Sequence, residues 1–207
     1  MNINFYVLSI IFAIGTLTIN QPAEGESDNF KTYTSNDLQF TIQHPSKWKV
    51  EEYPEDNPTE VYFTIRENKD MMNNEYLPES FYDSDFTISV EEPKSDLNTE
   101  TMTIVNETLT ERIQEELNKY TDSKSELIRQ NAVTVNGNDG WKIESRYSDT
   151  SLNYDRYNSK IIINANRKFY ILQYTDVPLK VPETLPLINR MVSLFKSVQR
   201  LMIPLMV

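Results

Sequence analysis

Apolar residues recur at every second position through much of this chain, and that alternation commits it to strands. Leu38, Phe40 and Ile42 alternate with Gln39, Thr41 and Gln43. Val61, Phe63 and Ile65 repeat the pattern, and so do Phe86, Ile88 and Val90. A period of two puts successive side chains on opposite faces, so each run predicts a strand with one buried face. Asn136-Gly137-Asn138-Asp139-Gly140 is the clearest hairpin signal, because Asn-Gly tolerates the positive φ angles of a tight turn. Residues 127–135 lead into it, and Trp141, Ile143, Ser145 and Tyr147 lead out. A further pair of strands, 157–165 and 169–174, flanks the turn Asn166-Arg167-Lys168.

Two helices interrupt the strands. Leu109, Ile113 and Leu117 share a face at spacing four, and Thr101, Ile104 and Val105 extend that stripe, so the spacing predicts a helix over 97–120. Glu111, Glu115 and Glu116 then take its wet side. Leu185, Ile188, Met191 and Val192 predict a second helix after a loop at 177–182, with a closing strand over 194–198. Loops are expected at 51–60 and 67–84, the second long enough to be functional. Hairpins dominate the order, which gives an α+β domain whose sheet is mainly antiparallel and covered by helices.

The chain of 207 residues suits one domain. Residues 1–23 hold no charged side chain, and Phe5 to Ile19 form an apolar run. That run reads as a signal peptide cleaved near Ala23 or as an uncleaved N-terminal membrane anchor; a buried core helix is the plainer alternative. Either targeting reading exports the remainder: a short linker at 24–29, a domain at 30–198 and an apolar tail at 199–207. An extracytoplasmic location follows as an expectation.

Composition removes whole classes of chemistry. There are no cysteines, so disulfides, thiolate metal sites and Cys nucleophiles are out. A net charge of −11 repels phosphate backbones, which argues against nucleic acid as a partner. With 4 glycines the chain offers no Gly-rich phosphate loop.

The segment from Tyr33 to Val50, YTSNDLQFTIQHPSKWKV, resembles the opening of PsbP-like domains: a short strand, a polar turn and a second strand running into a Pro-x-x-Trp corner at Pro45 and Trp48. The turn carrying Gly137, Gly140 and Trp141, and the closing Ser193-Leu194-Phe195-Lys196-Ser197-Val198, agree with it. The resemblance covers about residues 29–198. It implies an α/β/α sandwich on an antiparallel sheet. It also implies an accessory protein that docks on a membrane protein complex. Plant and cyanobacterial members are extrinsic subunits of photosystem II that help retain calcium and chloride and are not catalysts. Similar domains also occur in prokaryotes without photosynthesis.

The candidate chemistry is sparse. His44 is the sole histidine and precedes Pro45 at a strand end, where it reads as a packing residue rather than a base. A hydrolase built on His44 or on paired carboxylates is the least favoured function, and no enzyme is expected. Glu51, Glu52, Glu55, Asp56 and Glu60 crowd one stretch, and their hard oxygen ligands would suit calcium, the one cofactor considered. A solvated acidic loop is the bland alternative. Arg146, Tyr147, Tyr154, Arg156 and Tyr157 are candidates for a partner-binding face, since Tyr and Arg are favoured at interfaces. Cross-strand packing in a sheet is the commoner explanation. Asn106-Glu107-Thr108 is a glycosylation sequon that falls inside the expected first helix.

Overall fold

The computed structural model describes residues 29–52, 59–64, 84–98, 103–120, 125–149 and 154–198. They form, in chain order, β1 (Phe30–Ser35), β2 (Phe40–Pro45), β3 (Lys49–Glu52), β4 (Glu60–Thr64), β5 (Asp85–Glu91), β6 (Ser95–Asn98), β7 (Thr103–Asn106), α1 (Leu109–Asn118), β8 (Ser125–Val135), β9 (Asn138–Asp149), β10 (Tyr154–Ala165), β11 (Lys168–Asp176), α2 (Val181–Ser193) and β12 (Lys196–Ser197).

The central layer is a seven-stranded sheet in the order β3-β4-β5-β11-β10-β9-β8. Every neighbouring pair in it is antiparallel. Two meanders, β3 to β5 and β8 to β11, meet where β5 pairs with β11. Register follows the alternation of the sequence. Val61, Ile88, Leu172 and Ile161 stand side by side across four strands, all buried on one face.

A small sheet, β1-β2-β12, and α2 cover that face. Phe40 and Ile42 of β2, Ile188 and Met191 of α2, and Phe195 interleave there with Phe63, Phe86, Tyr170 and Tyr174 of the large sheet. Rings meet edge-on, as in Phe40 with Tyr170 at 6.5 Å and Tyr170 with Phe195 at 5.4 Å. α1 covers the other face, where Leu109 and Leu117 pack on Ile143, Ile162 and Phe169. The architecture is the expected α/β/α sandwich.

Two tight turns set the right-hand half of the sheet. Asn136 and Gly137 have φ of 48° and 81°, and Val135 pairs with Asn138 across them. Positive φ at both central residues is the type I′ signature, whose twist matches the flanking strands. Asn166 and Arg167, with φ of 54° and 62°, repeat it between β10 and β11. The Asn136 side chain also donates to the carbonyls of Ser193 and Phe195, so the hairpin tip caps the C-terminus of α2. Gly140 is required for another reason: a Cβ there would lie 2.7 Å from the Ile162 carbonyl oxygen of the adjacent strand. Pro45 is buried at the end of β2, and the Trp48 amide donates to its carbonyl at 3.0 Å, which turns the chain into β3.

The first helix is shorter than the spacing predicts. It starts at Leu109, and the preceding residues form the β6–β7 hairpin. The Thr-rich, β-branched run through Thr103, Ile104 and Val105 favours strand. Thr108 marks the true start through a capping box: its hydroxyl accepts from the Glu111 amide while the Glu111 carboxylate accepts from the Thr108 amide. Glu116 is not on the wet side either; it is 2 % exposed. The sequon residue Asn106 therefore ends a strand and is exposed, not helical. α2 begins at Val181, inside the expected loop, with Pro182 in its first turn where a missing N–H costs nothing.

Candidate functional site

The alternation that builds the sheet also sorts its polar residues. On β9 and β10, Arg146 stands opposite Tyr157, and Tyr147 opposite Arg156. Neighbours along a strand point to opposite faces, so the four divide into two pairs. Arg146 and Tyr157 face α2; Tyr147 and Arg156 face the α1 side. Tyr154 begins β10, and its side chain lies outside the described residues.

The α2-side pair lines a groove of about 220 Å³ with Ile128, Pro178 and Val181. Three of its lining residues, Ile128, Pro178 and Val181, are apolar, and Ile128 is 49 % exposed. Leu179, next in sequence to Pro178, is 76 % exposed. Ile128 stands out because β8 carries a bulge between Leu127 and Arg129, which re-aims a side chain at a sheet edge. Under the groove sits a fixed charge network. Glu144 is 4 % exposed. It accepts from Arg129 Nε at 2.5 Å, Tyr157 Oη at 2.7 Å and Lys142 Nζ at 2.9 Å. Burial would push its carboxyl up, but the Arg129, Tyr157 and Lys142 donors outweigh burial and pull it down to about 2. Burial and the Glu144 hydrogen bond both push the Tyr157 phenol up, so it stays a donor. Tyr157, which lines the groove, is thereby held by its hydroxyl.

The α1-side pair belongs to a polar groove of about 200 Å³. Tyr147 and Arg156 form one wall, Gln173 and Thr87 the floor, and Glu60 and Tyr62 the far wall. Tyr62 Oη donates to Glu60 at 2.8 Å; burial first, and Glu60 second, push that phenol up to about 12. The Arg156 Nε is buried without a hydrogen-bond partner among the described residues.

The acidic stretch is divided too. Glu51 and Glu52 are exposed neighbours on β3 and Glu60 starts β4, while Glu55 and Asp56 lie outside the described residues. Among the described residues no group of three His, Asp or Glu side chains is placed to hold a metal ion. His44 is 1 % exposed and packs on Phe63 at 5.3 Å. Burial, and then Lys31, hold its imidazole below the usual value. No substrate can reach it there. The described carboxylates with low exposure serve structure. Asp176, fully buried, accepts from Ser84 at 2.5 Å, Tyr174 at 2.7 Å and the Val177 amide at 2.8 Å. Glu116 takes Lys160 at 2.5 Å and Lys119 at 2.8 Å, and Arg112 reaches both Glu116 and Glu91. Burial opposes ionisation of Glu116, and these cations overcome it and hold it below the carboxylate range. This ion cluster fastens α1 to the sheet. The described surface thus carries two grooves, one with Ile128, Pro178, Val181 and Arg146 in its lining, and a polar one on the opposite face.

Sequence reasoning missed the exposed Ile128 and Leu179. Leu179 sits in a loop between two strong elements, and Ile128 emerges through a bulge that no local pattern announces. An isolated apolar residue beside Pro178 was the one available signal.

The fold is shared with solved structures. The solution structure of cyanobacterial PsbP (CyanoP) from Synechocystis sp. PCC 6803 matches with a TM-score of 0.51 at 15% identity, covering 86% of this chain and 98% of that one. LpqN of Mycobacterium tuberculosis, described as involved in cell envelope biogenesis, matches with a TM-score of 0.51 at 9% identity, covering 84% of this chain and 87% of that one. At such identities the likeness speaks for the fold alone. No curated protein matches the chain. The profile of the PsbP family matches residues 28–197, which span nearly all of the sandwich. The chain belongs to the PsbP family.

Proposed function

We propose that this chain is a non-enzymatic accessory domain, exported or tethered by its apolar N-terminal segment, that docks on a protein partner at the membrane surface. The observation that carries the reading is the apolar lining of the α2-side groove, Ile128, Pro178 and Val181, with Ile128 49 % exposed and Leu179, next in sequence to Pro178, 76 % exposed. Leaving such side chains in water costs about 1.5–3 kcal/mol each relative to burial. A contiguous exposed apolar patch marks an interaction site more often than chance. Family membership supports the accessory role, and the burial of His44 and Glu116 inside the fold agrees with it.

The test is site-specific photo-crosslinking of the full chain in its own membranes. A crosslinker at position 179 or 128 is expected to give one discrete adduct, and a crosslinker at the exposed Lys47 none. Leu179→Asp should abolish the adduct formed from position 128. Identical patterns from positions 179 and 47 would sink the docking reading.

A further inference from the structure

The large sheet ends differently on its two sides. β3 closes one edge with 4 residues, three of them charged: Lys49, Glu51 and Glu52. Short, charged edge strands are how sheets avoid pairing with other sheets. β8 closes the other edge with 11 residues, SELIRQNAVTV. Among the described residues no strand pairs with its outer side. Residues 126–130, Ala132 and Thr134 are exposed. The bulge at Leu127/Arg129 protects the beginning of the strand and leaves 129–135 regular. From Gln130 to Val135 there is no charge and no proline. In a chain carrying −11, this is a neutral seam.

The direction of the free backbone groups follows from the hairpin. Val135 and Asn138 close the two-residue turn as a mutually bonded pair, and bonding alternates from there. Val133, Asn131 and Arg129 point their amides at β9. Gln130, Ala132 and Thr134 point theirs outward. We propose that this edge pairs with the same edge of a second copy, through an antiparallel β8–β8 contact with Ala132 on the two-fold axis.

The register is self-complementary. Ala132 meets its own copy, and the small side chain allows close approach. Gln130 stands opposite Thr134 of the second copy, two neutral hydrogen-bonding side chains. On the other face, Asn131 meets Val133, and Arg129 meets Val135. No like charges oppose one another, which is the condition an isologous contact must satisfy. Arg129 stays on its Glu144 carboxylate within its own copy. The three outward residues of each copy gain backbone partners, and at the axis the Ala132 carbonyl, which accepts from Asn131 Nδ2 at 3.0 Å in the single copy, takes the amide of the second copy's Ala132. The resulting sheet runs through both copies and brings Asn136 of one copy opposite Ile128 of the other. The inference is independent of the docking reading.

The natural chain has no cysteine, so a single one reports on the axis. Cα atoms of a mutually bonded antiparallel pair are about 5.5 Å apart, inside the disulfide range of about 4.4–6.8 Å. Full-length Ala132→Cys in neutral detergent is expected to oxidise to a covalent dimer at least tenfold faster than Leu179→Cys. Equal slow rates would overturn the proposal. Ala132→Lys puts two like charges on the axis, and sedimentation is expected to change from dimer to monomer with the circular dichroism spectrum unchanged. A wild-type chain that sediments as a monomer at tens of micromolar (roughly the range that separates specific from incidental contacts), or an Ala132→Lys chain that remains dimeric, overturns it as well.

Discussion

Replacing Glu144 by Gln removes one negative charge from the point where β8, β9 and β10 are tied together below the groove. The size of the effect follows from the proton. In an unfolded chain this carboxyl titrates near 4.5, and in the fold it is held at about 2. A factor of ten in proton affinity is about 1.4 kcal/mol, so the ionised form contributes on the order of 3 kcal/mol of folding free energy. Glu144 is 4 % exposed, which keeps water from screening most of that; the Arg129 side chain, the first of its donors, is 64 % exposed, and screening discounts its share. The folded value lies below the unfolded one, so the contribution is complete above about pH 4.5 and disappears as pH falls through about 2. Gln keeps the volume, and its oxygen can still accept from Tyr157 and Lys142, which share Oε1, but its amide group then faces Arg129 as donor against donor. We expect Glu144→Gln to lose about 2–3 kcal/mol at pH 7, a fall in Tm of about 5–10 °C for a domain of this size. Urea denaturation at pH 7, 5 and 3 is the assay. The gap between the two proteins should narrow as pH drops. A variant as stable as the wild type at pH 7, or a gap that is the same at pH 3, would refute the reasoning.

Other perturbations reach different parts of the fold. Gly140→Ala forces a methyl to 2.7 Å from a backbone carbonyl, and thermal melting should show a loss of about 1–3 kcal/mol. Arg167→Gly relieves a positive φ of 62° at a non-glycine residue and should raise stability by a few tenths to about 1 kcal/mol. Asn136→Gly keeps the turn conformation and deletes the cap on α2, so a loss of about 1 kcal/mol would measure the cap alone; an unchanged Tm would show that the cap is idle. For His44 burial holds the folded pKa below the ordinary imidazole value of 6.5, so stability is complete above about pH 6.5 and declines as pH falls below it. His44→Phe should remove that component of the pH profile.

Most of the sheet was legible because strand alternation is local. The rows through Val61, Ile88 and Leu172 needed only a period of two, and the Asn136-Gly137 turn needed only two residues with the right backbone freedom. The stretch at 97–106 failed for the opposite reason. Thr101, Ile104 and Val105 happen to fall at helical spacing, and the strands at 95–98 and 103–106 have only four residues each, too few to show an alternation. The capping box at Thr108 was in the chain and would have corrected the helix start. Buried charge is harder to read. Arg112 and Glu116 are the most buried residues of α1 because Glu91 and Lys160 wait on the sheet, and no window of sequence contains all four. The candidate recognition residues show a different limit. Arg146 and Tyr147 are adjacent, so alternation alone forbids a shared face, and the register separates their partners in the same way.

The seam between β5 and β11 has a consequence for how the chain comes off the ribosome. β5 ends at residue 91 and its partner starts at residue 168, so the middle strand of the sheet is nearly the last to be synthesised. Until then Phe86, Ile88 and Val90 belong to an edge with nothing beside it, and α2, which covers them, follows later still. Early vectorial collapse of the N-terminal half cannot produce a finished core. Such sequence-distant pairing folds slowly, and the core closes only once β11 and α2 have both been made.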